Sequence, residues 1–312
     1  MQVLDYRQQQ HRLLPLLAAS YCSFFTGKMI LERLADIERR LVSKGDVSKA
    51  EVADIHASTS SLKSFLTTVA ADGIEDCRKA CGGHGFLMCS GIPELLTTYL
   101  QNPTVEGDNQ MLPQQVAKVL LKVVEAVEAG RNLSNYEKCD SRLLIPSLHS
   151  ILHGNAEKCL AKSEEDLLDS ALLLKALGHR ASRVLVEVAQ DVQSSVMSGM
   201  SVSDAWNNAQ IQISRMSRSY SLLVLMSEVV QGIETEARLG SIGSHEIKVL
   251  TDLAHLFALY WIEKDIGDFL EDGYFSQEKA AWVRSSVLKL LDEVRPNAVP
   301  LVDAFDISDF PH

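Results

Sequence analysis

Between Cys77 and Lys122 the chain reads CRKACGGHGF, then Ser90-Gly91-Ile92-Pro93, then NPTVEGDNQ and MLPQQVAKVLLK. Gly82, Gly83 and Gly85 sit where a helix is expected to stop, and glycines let backbone N–H groups approach a ligand closely. Further on, Glu106 precedes Gly107, Asp108 and Asn109, residue types that favour a turn or an N-cap over a helix interior. The spacing therefore predicts an acid on a tight turn at the entrance to a helix starting near Asn109. Two readings stay open: a carboxylate offered to a reacting partner, or a first-turn acid favoured by the helix dipole.

Other constellations carry less. Gly83-His84-Gly85 follows a helix rather than a strand and lacks the third glycine of a dinucleotide fingerprint. Cys77, Cys81, His84 and Cys89 do not have the paired spacing of a zinc site. Cys77 and Cys81, four apart, read instead as two small buried thiols. His149 and His153 are also four apart, but Pro146 and Gly154 limit any helix there, so surface or packing histidines are expected. Ser60-Ser61-Leu62-Lys63 matches S-x-x-K without its partner motifs, and no G-x-S-x-G turn occurs. Glu263, Asp265, Asp268, Glu271 and Asp272 read as a solvated helix end. Met216–Leu225 reads as core.

Helical periodicity dominates the segments that would hold these residues. Leu17, Tyr21, Phe24, Leu31, Leu34, Ile37 and Leu41 recur at three or four residues, with Lys28 interrupting the stripe. Pro15 is expected to kink or restart that helix. After a turn at Lys44-Gly45-Asp46, a second helix carries Val52, Ile55, Leu62, Phe65, Leu66, Val69 and Cys77. Its small polar run Ser58–Ser61 suits close helix contact, and Gly73 suggests a close neighbour. A third helix runs to about Ala129, with Pro113 tolerable only in its first turn. Further helices are expected near 164–198, 203–238, 243–271 and 276–293. Residues 130–160 break the rhythm. The organisation predicted is a helical domain over 1–135, a linker over 136–160 and a second helical domain over 161–312. The fold class is all-α, two antiparallel bundles in tandem.

Composition narrows the function classes. The 312 residues are 46% hydrophobic, enough for a substantial core. A net charge of −11 argues against a nucleic-acid partner. No apolar run approaches the roughly 20 residues that span a bilayer, and the start lacks the layout of a secretory signal. Six scattered cysteines fit reduced thiols better than a disulfide framework.

ACGGHGF followed by SGIP and TVEGDN resembles the C-terminal half of the acyl-CoA oxidases, flavin-dependent enzymes of peroxisomal fatty-acid β-oxidation. LDYRQQQHRLLPLLA is similar to the family's first C-terminal helix, and RPNAVPLVDAFDISD to its last helical domain, so the likeness runs in order through nearly the whole chain. The resemblance implies a reaction in which the α-proton of a fatty acyl-CoA is removed while the β-hydrogen leaves as hydride to FAD. O2 then reoxidises the flavin, giving a trans-2-enoyl-CoA and H2O2. It implies Glu106 as the base, strengthened by burial against acyl chain and flavin. Hydrogen bonds from backbone or ribityl groups to the thioester carbonyl would stabilise the enolate-like charge. Gly82, Gly83, His84 and Gly85 would lie against the ADP part of FAD held by a partner subunit, with Gly107 and Asn109 also near the cofactor. A homodimer in the peroxisome follows from the same likeness.

Against the family pattern, the sequence starts at the first C-terminal helix, without the N-terminal helical and β-domains that hold most of the flavin and acyl-CoA. It ends at Asp309-Phe310-Pro311-His312 without a Ser-Lys-Leu-type tripeptide, and it carries Pro113 in place of an ordinary helix former. The expectation is a fragment that does not turn over alone. The alternative is a non-catalytic helical dimerisation module derived from the family.

Overall fold

Helix caps and first-turn prolines set the boundaries throughout the described residues, 1–43, 45–155 and 157–307 of a computed structural model. The helices are α1 (Arg7–Val42), α2 (Lys49–Ala80), α3 (Ile92–Tyr99), α4 (Leu112–Glu128), α5 (Ile145–Leu152) and α6 (Ser170–Met197). They continue as α7 (Val202–Asn208), α8 (Gln210–Leu239), α9 (Ser244–Lys264), α10 (Ile266–Glu271), α11 (Gln277–Val294) and α12 (Ala298–Asp303). No strand occurs among the described residues. Ser48 and Glu51 form a reciprocal capping box at the start of α2. Asp169, Ser201 and Ser276 cap α6, α7 and α11. Pro93, Pro113 and Pro146 all fall in first turns, where a missing N–H costs nothing. Lys44 of the expected first turn and residues 308–312 lie outside the described residues.

α8 is the axis of the molecule. Met216, Tyr220 and Leu222–Met226 are all buried, as their sequence suggested. α1, α2, α4, α6 and α9 pack around it, and α11 lies against α9. One buried cluster extends from Leu14 through the α8 residues to Leu301, so early and late helices share apolar contacts. Close approaches are made by small residues. A Cβ on Gly73 would stand 3.0 Å from Leu16, and one on Gly232 would stand 2.4 Å from Phe25. Ser58, Ser60 and Ser61 are buried, in keeping with the close contact expected of that run.

Five expectations are corrected. α1 continues through Pro15, which is buried, because packing against α8 and α9 outweighs the lost intrahelical bond. Only part of the apolar stripe of α1 faces the core. Ile37 is buried and Leu17 and Tyr21 pack against the core, but Phe24, Leu31 and Leu41 are exposed, and the other inward residues include Leu14, Ala18, Cys22 and Phe25. The acids around α10 are not merely solvated. Arg180, 2% exposed, pairs with Asp265 at 3.0 Å and Asp268 at 2.7 Å. Arg215 and Arg218 reach the same carboxylates, and His179 bonds Asp272 at 2.6 Å. Cys77 and Cys81 are exposed, because they ride on the outward face of the last turn of α2. α1 is also long and apolar enough to cross a membrane by length and composition, contrary to the sequence estimate, yet here it packs along α8 and α9.

Candidate functional site

The segment Leu100–Met111, between α3 and α4, folds back on α2. Glu106 adopts φ +58 and Gly107 φ +109, both in the left-handed region. For glutamate that conformation costs about 1–2 kcal/mol, so surrounding contacts must enforce it. They come from one polar face of α2. Lys63 Nζ donates to the Gly107 carbonyl and to Asn109 Oδ1. Ser64 Oγ donates to the Asn109 carbonyl at 2.8 Å. Asn109 Nδ2 returns bonds to the Ser64 carbonyl at 2.9 Å, Thr67 Oγ1 at 2.9 Å and Thr68 Oγ1 at 2.8 Å. The Asn109 N–H reaches back to the Pro103 carbonyl at 2.9 Å, closing the loop. A Cβ on Gly107 would stand 2.8 Å from Leu112, so φ and space both call for glycine there.

Glu106 projects from this anchored turn into the open. It is exposed, with no hydrogen bond or ion pair to any described residue. The turn therefore holds its backbone firmly while leaving the carboxylate free for an external partner. Asn109 has a different part: buried, with both polar side-chain atoms engaged by α2, it fastens the turn. Ser64, Thr67 and Thr68 were not singled out from the sequence, and Lys63 appeared only in a chance S-x-x-K match. Their i, i+1, i+4, i+5 spacing, which puts four polar side chains on one face of α2, is the signal that marks them.

The glycine loop is a separate surface. Gly82–Phe86 forms a 3-10 turn after α2, with Gly82 at φ +60 and nothing within 4 Å of a Cβ on Gly82 or Gly83. Gly85 is buried, and a Cβ there would lie 2.0 Å from the Arg78 carbonyl oxygen. His84 is exposed, and so are Phe86, Leu87 and Met88 beside it. The Glu106 turn grips α2 near residues 63–68, whereas this loop follows Ala80. About 20 Å of helix axis separates them. The structure thus groups Glu106, Gly107 and Asn109, and places Gly82, Gly83, His84 and Gly85 at a second position along α2. An apolar groove of about 500 Å³ lies between α1, α2 and α3, lined by Leu16, Val69, Gly73, Cys77, Leu95 and Tyr99 among others. No cluster of metal-ligating side chains occurs among the described residues, and His149 and His153 are an exposed stacked pair.

The family profile described as "Acyl-CoA oxidase, C-alpha1 domain" matches residues 1–121, and that described as "Acyl-CoA oxidase" matches residues 169–311. Peroxisomal acyl-coenzyme A oxidase 1 of Arabidopsis thaliana is 33% identical over 314 residues, covering 99% of this chain and 44% of the relative. The Mus musculus protein of the same name is 34% identical over 316 residues, covering 99% and 45%. Among solved structures, Arabidopsis thaliana acyl-CoA oxidase 1 superposes with a TM-score of 0.88 at 33% identity, over 99% of this chain and 44% of that one. Acyl-CoA oxidase-1 of Caenorhabditis elegans, complexed with FAD and ATP, superposes with a TM-score of 0.84 at 30% identity, with the same coverage. The chain spans less than half the length of these relatives.

Proposed function

This chain belongs to the acyl-CoA oxidase family and corresponds to its C-terminal part, and from that premise we propose that it carries the catalytic base of a fatty acyl-CoA α,β-dehydrogenation. The observation that carries the reading is Glu106. It is an unpartnered carboxylate held out from a strained turn that α2 locks in place. Strain maintained around a side chain with no structural bond of its own fits a functional role better than a packing one.

In this reading Glu106 takes the α-proton of the thioester substrate. A thioester α-proton is a weak acid, so the base must be positioned and desolvated. Position comes from the Lys63–Ser64–Asn109 anchorage, and desolvation from the parts of the assembled enzyme that close over the turn. FAD, when bound, accepts the β-hydrogen as hydride and passes the electrons to O2, giving H2O2. The backbone of Gly82, Gly83, His84 and Gly85 would hold the cofactor, with the turn at Gly107 beside it. The open space over Gly82 and Gly83 fits a group approached by main-chain donors. By the family resemblance one subunit would touch two cofactors, its own near Glu106 and a partner's near the glycine loop, which implies a homodimer. Exposed Phe86, Leu87, Met88, Leu95 and Met111 supply apolar surface for such neighbours. A peroxisomal location follows from the names of the relatives. The two-domain division, 1–135 and 161–312 joined by 136–160, is supported by the two separate family matches.

The test is peroxide release from palmitoyl-CoA and FAD, with this chain alone and with a polypeptide supplying the other half of the relatives' length. Activity is expected only in the second case. Glu106→Gln, which nearly preserves shape, should lower it by about 10²–10⁴-fold while flavin stays bound. Retained turnover in that variant would refute the assignment. The second reading, a non-catalytic dimerisation module, predicts no peroxide in either arrangement.

A further inference from the structure

The strap between α4 and α5, outside both family matches, crosses α2 over a buried carboxyl cluster. Asp54 of α2 accepts the Asp140 N–H at 2.6 Å and the Ser141 N–H at 3.1 Å. Asp140, 1% exposed, receives Arg33 of α1 at 2.5 Å and the Ser58 hydroxyl at 2.6 Å. Glu228 of α8, also 1% exposed, binds the other arm of Arg33 at 2.7 Å. Its Oε2 is buried with no partner, and so is Ser141 Oγ. Tyr220 of α8 reaches Ser58 at 3.1 Å. Two of the three buried carboxyls thus share one guanidinium, and the third, Asp54, has only strap N–H groups, so the cluster holds two negative charges in excess if all are ionised.

The remaining titratable groups nearby do not pair with these carboxyls. Glu51, one turn before Asp54 on α2, is already paired with Arg40 at 2.7 Å, and the exposed Arg131 and Lys138 act on Tyr136 and Glu51. Cys139 and Tyr136 on the strap and Tyr220 on α8 are neutral in the ordinary range, and burial pushes all three further up. A buried charge without a partner is expelled by taking up a proton.

We propose that this cluster is a proton-operated clasp: with a proton held on Asp54 or Glu228 it pins the strap to α2, and losing that proton loosens the strap between the two halves of the chain. Burial lifts the Asp54 carboxyl to about 6, with Asp140 adding to the rise, and burial also raises Glu228. The sign follows from linkage. A carboxyl raised from 3.8 to about 6 makes the folded state bind more protons than the unfolded one. Its contribution is complete below the lower value and is lost as pH rises through the upper, up to about a hundredfold in the local closing equilibrium. The loosening is local because Asp54 holds the strap by its N–H groups, while α5 beyond it has a further tie, Ser182 Oγ to the Leu144 carbonyl at 3.1 Å.

Hydrogen–deuterium exchange of the 312-residue chain, read on peptides spanning 136–144 and corrected for the intrinsic base-catalysed rate, tests this. Between about pH 5 and about pH 8, strap protection is expected to fall at least about tenfold relative to α8 peptides. Glu228→Gln, which deletes one excess charge, should flatten that difference, and Asp54→Asn serves where the first variant does not fold. In the wild type, a protonated-carboxyl infrared band should persist at about pH 5.5 and vanish by about pH 8. Absence of that band at the lower pH, strap protection that does not change with pH, or an unaltered pH slope in a folded variant each overturns the clasp.

Discussion

Asn109 and Glu106 illustrate how neighbouring residues of similar polarity divide labour. Glu106 is exposed and unbonded, whereas three residues later Asn109 is buried and saturated with bonds to α2. Asn109→Ala should therefore cost about 1–3 kcal/mol in urea unfolding, since Ser64, Thr67 and Lys63 lose their partner. Glu106→Ala should cost nothing measurable in stability, because no native contact is removed. The glycine loop gives a second contrast. Gly85→Ala drives a methyl into the Arg78 carbonyl, whereas Gly83→Ala meets nothing within 4 Å. The first should lower stability by about 1–3 kcal/mol and the second by well under 1. Equal melting temperatures for the two variants would contradict the packing described. Gly82–Gly85 and Glu106 were visible as candidate motifs; that Asn109 is a fastener was not, because an asparagine close after a turn glycine looks alike whether it faces a ligand or a helix.

At the scale of the element, α1 is where periodicity misleads. A 3.6-residue stripe announces an amphipathic helix but not which stripe faces inward when two faces are apolar. Small residues decide it: Ala18 and Cys22 are wholly buried and allow close packing, while bulkier Phe24 and Leu31 are left outside. Leu31→Ser should change stability by less than about 0.5 kcal/mol, whereas Leu14→Ala should cost about 2–5, both read by denaturant midpoint. An exposed apolar stripe on a core helix also suits a surface that meets further protein in a longer assembly.

Across the whole molecule, charge holds the late helices together. Arg180 lies among Asp265 and Asp268, with Arg215 and Arg218 bracing the same acids. Removing it by Arg180→Ala should cost about 3–5 kcal/mol, since two carboxylates lose a buried partner. Burial pushes the Asp268 carboxyl up, but hydrogen bonds from Arg215 and Arg180 outweigh this and hold it below its ordinary value. Asp272 is likewise lowered, burial being overcome by the His179 bond. Lowered carboxyls stabilise above their unfolded value of 3.8 and lose that contribution as pH falls through the folded one. The Asp54 cluster acts in the opposite sense above it. A melting-temperature profile should therefore fall away on the acid side below about pH 4 and decline again on passing about pH 6.

Local pattern was enough to read an all-helical chain, most of its helix positions, the core character of Met216–Leu225 and the chemistry-bearing loops. These are properties of short stretches: periodicity, caps, first-turn prolines and contiguous motifs. The inward face of α1, the arginine partners of the α10 acids and the carboxyl cluster beneath the strap became apparent only in three dimensions. Each joins side chains from helices far apart in the chain, as Arg33 does with Asp140 and Glu228. Charge type in one segment carries no information about which distant segment will neutralise it; packing supplies that.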